Sequence, residues 1–129
     1  MKFSQKATIF GVALFLGGLP SAAWADGNFS HTCYDTYVSD SVLTSTCYEV
    51  DGYTPNTSSI DLNPYIGNID GVLLYDYDNF IATCYDVTVT DGSILTATCY
   101  EVDGYTPNTS SVDLDIIIEN IDGVLTLAE

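Results

Sequence analysis

The stretch CYEVDGYTPNTSS, residues 47–59, returns letter for letter at residues 99–111. Reading outward from both copies, Phe29 to Asp78 aligns with Phe80 to Glu129 with one inserted residue. Phe29, Cys33, Tyr34 and Asp35 match Phe80, Cys84, Tyr85 and Asp86, and NIDGVL occurs at 68–73 and again at 120–125. Each unit is about 50 residues, too short to bury much apolar surface alone, which predicts two repeats sharing one core. Residues 42–50, VLTSTCYEV, and 94–102, ILTATCYEV, are rich in β-branched and aromatic types and predict strands. Gly52 and Gly104, with Pro55 and Pro107, punctuate a loop before the strand-like Ser59-Ile60-Asp61-Leu62 and Ser111-Val112-Asp113-Leu114. Asn63-Pro64 suits the cap and first position of a short helical turn, with Asp115 capping its counterpart. Asp70-Gly71 and Asp122-Gly123 mark tight turns before apolar strands. The predicted class is all-β with short helical turns, in tandem repeat.

The N-terminus reads differently. Lys2 and Lys6 precede an apolar run from Ile9 to Leu19, and Pro20 leads to a small-residue segment ending Ala23-Trp24-Ala25. That pattern predicts a signal peptide over 1–25, a domain over 26–129, and a secreted or periplasmic product. Lys2 and Lys6 are the only Lys or Arg, while all 18 Asp and Glu lie beyond residue 25. The formal charge of −16 thus becomes −18 once the leader is removed. A chain without permanent cations does not neutralise phosphate, so no nucleic acid partner is expected. No segment after the leader is apolar enough to insert in a membrane. Neutral ligands and cations remain open.

Four cysteines, Cys33, Cys47, Cys84 and Cys99, allow three pairings in an exported chain. Spacings of C-x13-C and C-x14-C lack the close pairs of a structural zinc site. Equivalent halves carrying equivalent bonds favour Cys33–Cys47 and Cys84–Cys99 over pairings that break the repeat. Each would close a loop of roughly 15 residues, worth about 3 kcal/mol in the chain-entropy model. Three N-x-S sequons begin at Asn28, Asn56 and Asn108 and matter only in a host that glycosylates asparagine.

FSHTCYD, SVLTSTCYE, NTSSIDLN and NIDGVL resemble the cyanovirin-N family of carbohydrate-binding lectins, across essentially the whole chain after the leader. The resemblance implies a pseudo-twofold all-β fold, each half assembled from parts of both repeats, with each cysteine pair inside one repeat. It implies two glycan sites that prefer terminal α1,2-linked mannose and need no metal or cofactor. By position the first site comprises Asn28, His31, Thr32, Tyr48, Glu49, Val50, Asp51, Asn120 and Asp122. The second comprises Gly67, Asn68, Asp70, Asp78, Asn79, Ala82, Thr83, Tyr100, Glu101, Val102 and Gly104. The repeated stretch therefore supplies one wall of each pocket. Gly67 and Val102 stand where the family often sets a Glu opposite an Arg, and Tyr100 and Ala82 where it has a Lys and an acidic neighbour. Tyr48 replaces a typical Glu. Tyr77 replaces a hinge proline that promotes domain swapping, which predicts a monomer, with a swapped dimer as the alternative.

The residue types suit the chemistry. Sugar hydroxyls donate and accept, so recognition needs both polarities in fixed geometry. Asp122 and Asp70 accept, Asn120 and Asn68 do both, Thr32 and Thr83 add hydroxyls, and Tyr48 or Tyr100 can cover a sugar's C–H face. Catalysis finds no support: His31 is the lone histidine, and no nucleophile–base order is evident. An acidic structural or Ca²⁺-binding protein is the remaining alternative. Its candidate loops, Asp76-Tyr77-Asp78 and Glu101-Val102-Asp103, lack EF-hand spacing.

Overall fold

The computed structural model describes residues 27–128; the expected signal peptide over 1–25 lies outside the described residues. Among the described residues ten strands follow in chain order, with three short 3-10 turns at Phe29–His31, Phe80–Ala82 and Leu114–Ile116. In the first repeat, β1 (Cys33–Ser39), β2 (Val42–Tyr48) and β3 (Pro55–Asp61) form an antiparallel sheet in that order. β4 (Ile66–Ile69) and β5 (Val72–Tyr75) form a separate hairpin. The second repeat gives β6 (Cys84–Thr90), β7 (Ile94–Tyr100) and β8 (Pro107–Asp113), then the hairpin β9 (Ile118–Ile121) and β10 (Val124–Leu127). The fold is all-β and duplicated, as the repeat predicts.

Alternation drives the sheets. Along β2, Leu43, Ser45 and Cys47 point inward and are buried, while Val42, Thr44, Thr46 and Tyr48 face out. β1 and β6 each break register at a bulge whose Asp35 or Asp86 adopts positive φ, 55° and 53°. The hairpin turns at Asp70-Gly71 and Asp122-Gly123 have positive φ at both residues, the conformation a two-residue hairpin of this twist requires. Gly123 is also pressed close: a Cβ there would lie 2.9 Å from Asn56 Cβ and 3.1 Å from Glu49 Cγ.

That last contact crosses repeats. β10 packs on β3 and β5 packs on β8, so each three-stranded sheet is completed by the other repeat's hairpin. Ser58 Oγ accepts from the Leu125 amide at 2.9 Å, and Ser110 Oγ accepts from the Leu73 amide at 2.9 Å. Asn56 Nδ2 donates to the Gly123 carbonyl and Asn108 Nδ2 to the Gly71 carbonyl, both at 2.9 Å. Buried apolar side chains of both repeats then merge into one core containing Phe29, Leu43, Leu62, Phe80, Leu95 and Leu114. Phe29 and Phe80 are fully buried, each contributing roughly 1.5–3 kcal/mol of transfer free energy.

The disulfides are Cys33–Cys47 and Cys84–Cys99, each joining directly paired residues of adjacent strands. Two local expectations shift. β3 and β8 begin at Pro55 and Pro107, inside the stretch read as loop, because an edge strand tolerates the missing N–H at its first position. The turn after β8 is capped by Asp113, whose carboxylate accepts from the Asp115 amide, and Asp61 does the same for the Asn63 amide. Asp115 and Asn63 are thereby released for other partners.

Candidate functional site

Each site is assembled where the end of a central strand meets the other repeat's hairpin turn. At the second site, Asn68 Nδ2 donates to Thr83 Oγ1 and to the Tyr100 carbonyl, both at 2.9 Å. Its Oδ1 accepts from the Gly71 amide at 2.7 Å. Asp70 Oδ1 accepts from the Val102 amide at 2.9 Å, and the Tyr100 amide donates to the Thr83 carbonyl at 3.0 Å. The first site repeats this network. Asn120 reaches Thr32 Oγ1 and the Tyr48 carbonyl at 2.9 Å, and Asp122 Oδ1 accepts from the Val50 amide at 2.9 Å.

This bonding changes the role of the asparagines. Both amide protons of Asn120 and of Asn68 are already committed to protein acceptors, so these side chains set the pocket's shape. The carboxylates and hydroxyls keep capacity. Asp70 and Asp122 use one oxygen and leave Oδ2 to accept, while Thr83 and Thr32 accept from asparagine and retain their own protons to donate.

An open depression of about 700 Å³ lies over the second network. Its wall brings together Asn68, Asp70, Ala82, Thr83, Tyr100, Glu101, Val102 and Gly104, residues the sequence pointed to, and adds Ile69. Ile69 is 42% exposed, and its signal was its place between Asn68 and Asp70 in a turn that otherwise reads as polar. Gly67, Asp78 and Asn79 lie off that wall. Gly67 is buried beneath the linker between repeats, where a Cβ would lie 2.4 Å from Tyr77 Cβ. Asn79 instead accepts from Asn63 Nδ2 at 3.2 Å, and its amide donates to the Asn63 carbonyl at 2.7 Å.

At the first site His31 is exposed at the end of its 3-10 turn, beside Thr32, and it occupies the position of Ala82. Asn28 adopts a left-handed conformation (φ 57°), with its amide donating to the Asp115 carbonyl at 2.8 Å. Glu49 runs its stem past the Gly123 turn, as Glu101 does past Gly71. Val50 and Val102 stand out in solvent, each 89% exposed. Asp51 serves its own loop: its carboxylate accepts from the Tyr53 and Thr54 amides at 2.9 Å and from the Thr54 hydroxyl. The Thr54 hydroxyl, then the two amides, hold the Asp51 carboxyl below its ordinary range, and Thr106 and its neighbours do the same for Asp103. Among the described residues, no three His, Cys, Asp or Glu side chains gather as a metal ion would need. Among them, too, no helix is long and apolar enough to cross a membrane.

Known proteins share this fold. Microvirin, solved as a mannobiose complex, is 33% identical, with a TM-score of 0.64 over 78% of this chain and 98% of its own. GzCVNH of Gibberella zeae is 28% identical, with a TM-score of 0.68 over 80% of this chain and 99% of its own. A MoCVNH3 variant, solved with (N-GlcNAc)4, matches in fold at a TM-score of 0.71 and 23% identity, over 78% of this chain and 97% of its own. The CVNH domain model matches residues 29–126, which takes in both repeats and nearly every residue of the two networks. With its exchanged hairpins and paired disulfides, the chain belongs to the CVNH family.

Proposed function

We propose that the protein is an exported lectin, without catalysis, that holds terminal α1,2-linked mannose of high-mannose glycans at these two sites. The observation that carries this reading is the division of labour at Thr83, Asp70 and their equivalents Thr32 and Asp122. In each pair a fixed hydroxyl donor stands near a fixed carboxylate acceptor, held by an asparagine whose own amide is spent. Vicinal sugar hydroxyls, which donate and accept, complement that set. Tyr100 and Ile69, or Tyr48 and Ile121, offer apolar surface for a C–H face. The likeness to microvirin, solved as a mannobiose complex, supports the choice of sugar.

The absence of lysine and arginine after the leader favours a neutral ligand over an anionic one. Each pocket binds modestly; two on one body raise avidity on a dense glycan surface by roughly 10²–10⁴. The protein acts as a monomer, since Tyr77 removes the hinge restraint of a proline.

A glycan array followed by calorimetry with α1,2-mannobiose tests the reading. Binding to glycans ending in that disaccharide is expected, and a flat response across neutral glycans would overturn it. Turnover of mannobiose, lost in Asp122→Asn, would instead argue for a glycosidase. Light scattering should give the monomer mass at micromolar concentration.

A further inference from the structure

We infer that the outer face of each three-stranded sheet is a glycan platform continuous with its pocket, so that the ligand is a linear neutral oligosaccharide longer than a disaccharide. This rests on the lectin reading above. Tyr48, the counterpart of the pocket-lining Tyr100, is the last outward residue of β2, and Tyr34 of β1 stands beside it with ring centroids 5.5 Å apart and planes tilted by 39°. Tyr85 and Tyr100 repeat the pair at 5.5 Å and 40°. These four rings are 36–41% exposed. Tyr34 and Tyr85 are absent from the pocket networks, so the pocket alone does not explain their exposure.

Behind each pair runs a ladder of hydroxyls. Thr46 bonds Thr57 at 2.8 Å and Thr44 bonds Ser59 at 2.7 Å across β2 and β3. Thr98–Thr109 and Thr96–Ser111 match them at 2.8 and 2.7 Å. In each pair one hydroxyl donates, which leaves the other's proton and several lone pairs for a ligand. The outward positions of β2 and β3 carry no charge until Asp61, opposite Val42 at the far end, and the same holds on β7 and β8 until Asp113. On β1 and β6 the acidic Asp35 and Asp86 sit in the bulges outside the paired rows, Asp86 close enough to act on the Tyr85 phenol, so the nearby charge lies beside the rings and not among the hydroxyls.

In a chain with 18 acidic residues, an uncharged strip bearing aromatic rings and hydroxyls suits a polyhydroxylated ligand with apolar C–H faces. From Tyr48 back to Thr44 the strip spans four residues, about 13 Å at the strand rise. That distance reaches well past the pocket.

The test titrates the oxidised protein with α1,2-mannobiose and with linear α1,2-mannotetraose. The tetrasaccharide should bind about tenfold tighter, and Tyr34→Ala/Tyr85→Ala should remove that gain while leaving mannobiose affinity within about twofold. If the alanine protein does not fold, Tyr34→Leu/Tyr85→Leu keeps the apolar bulk without the aromatic face and gives the same readout. Amide resonances of Thr46, Thr57, Thr98 and Thr109 should move with the tetrasaccharide and stay still with the disaccharide. No gain for the longer sugar, a gain that survives the variant, or a parallel loss for both sugars would each overturn the platform. Mannobiose binding without any gain leaves the pocket reading intact. Tetrasaccharide binding that needs the tyrosines, with no disaccharide binding, would keep the platform and reject the pocket.

Discussion

The two sites share one frame and differ in what surrounds it. Asn120 and Asn68 make the same three hydrogen bonds at the same distances, and Asp122 and Asp70 bind the same amide position. Around that frame the repeats diverge. His31 stands where the other repeat has Ala82, and Glu119 occupies the position of Gly67. Each hairpin is also crossed by the segment that leads into the other repeat, and each crossing has its own glycine. In the first hairpin it is Gly67, under Tyr77 and Asp78; at the second it is Gly27, where a Cβ would lie 2.3 Å from the Ile118 carbonyl. The Asp115 carboxylate accepts from the Ser30 amide at 2.9 Å and the Ser30 hydroxyl at 2.5 Å, while the Asn63 side chain accepts from the Ile81 amide at 3.1 Å and donates to Asn79 at 3.2 Å. Tyr75 donates to the Asp113 carbonyl at 2.6 Å, and Leu127, its counterpart, has no hydroxyl to do so. The frame therefore fixes where a ligand's hydroxyls can be met, and the surroundings decide how each site differs in affinity and support.

The largest effect should come from the shared crosslinks. Replacing Cys33 and Cys47 by serine, or Cys84 and Cys99, should cost about 3 kcal/mol each, because the loops they close differ by one residue. Chemical denaturation measures both; a difference beyond about 1 kcal/mol would mean the halves are not energetically equivalent. Next, Asn120→Ala and Asn68→Ala should each cost about 1–3 kcal/mol by stranding their partners. Each should also abolish sugar-induced NMR shifts at its own site while sparing the other. Loss at both sites would show that the frames are coupled.

The asymmetric contacts give smaller, sharper tests. Asp115→Ala should destabilise by about 1–2 kcal/mol, more than Asn63→Ala, since a carboxylate accepting two bonds is the stronger partner. Equal losses in thermal unfolding would remove this difference between the repeats. Tyr75→Phe should cost about 1 kcal/mol by leaving the Asp113 carbonyl without its donor. Burial pushes the Tyr75 phenol up to about 12. A raised folded value means its contribution is complete below the ordinary 10 and is lost as pH rises through about 12. The Phe variant should therefore show a shallower alkaline loss of stability than the parent.

The smallest effect should be identical in both repeats. Asp51 and Asp103 are held below their ordinary 3.8, so whatever they contribute is present above that value and fades as pH falls through the lowered one. Carboxyl NMR titration should give two matching midpoints below 3.8, with the loop amides of Tyr53 and Tyr105 exchanging faster beneath them. Midpoints that differ would separate loops whose sequences are identical.

Much of the scaffold was open to reading because it depends on local rules. The β-branched and aromatic residues of VLTSTCYEV gave β2, and the Asp-Gly pairs gave the hairpin turns. The start of β3 at Pro55 was hidden, since proline reads as a breaker unless the residue is known to begin an edge strand. The caps were placed two residues late, at Asn63 and Asp115 instead of Asp61 and Asp113, because several nearby carboxylates and amides satisfy the same local pattern. The site's residue types were legible, mostly through the family likeness, but their division of labour was not. That Asn68 spends its amide on Thr83 and Tyr100 depends on residues 15 and 32 positions away.

By itself the sequence determined the duplication, the strand-forming stretches, the turns and the lack of lysine or arginine beyond Lys6, because each follows from composition or short-range spacing. The family likeness implied halves built from both repeats, but only the tertiary structure decided which hairpin strand meets which sheet strand, and thus which oxygens and protons stay free beside Tyr48 and Tyr100. Hydrogen-bond capacity is consumed by whichever partner arrives in space, and the chain order carries no record of that.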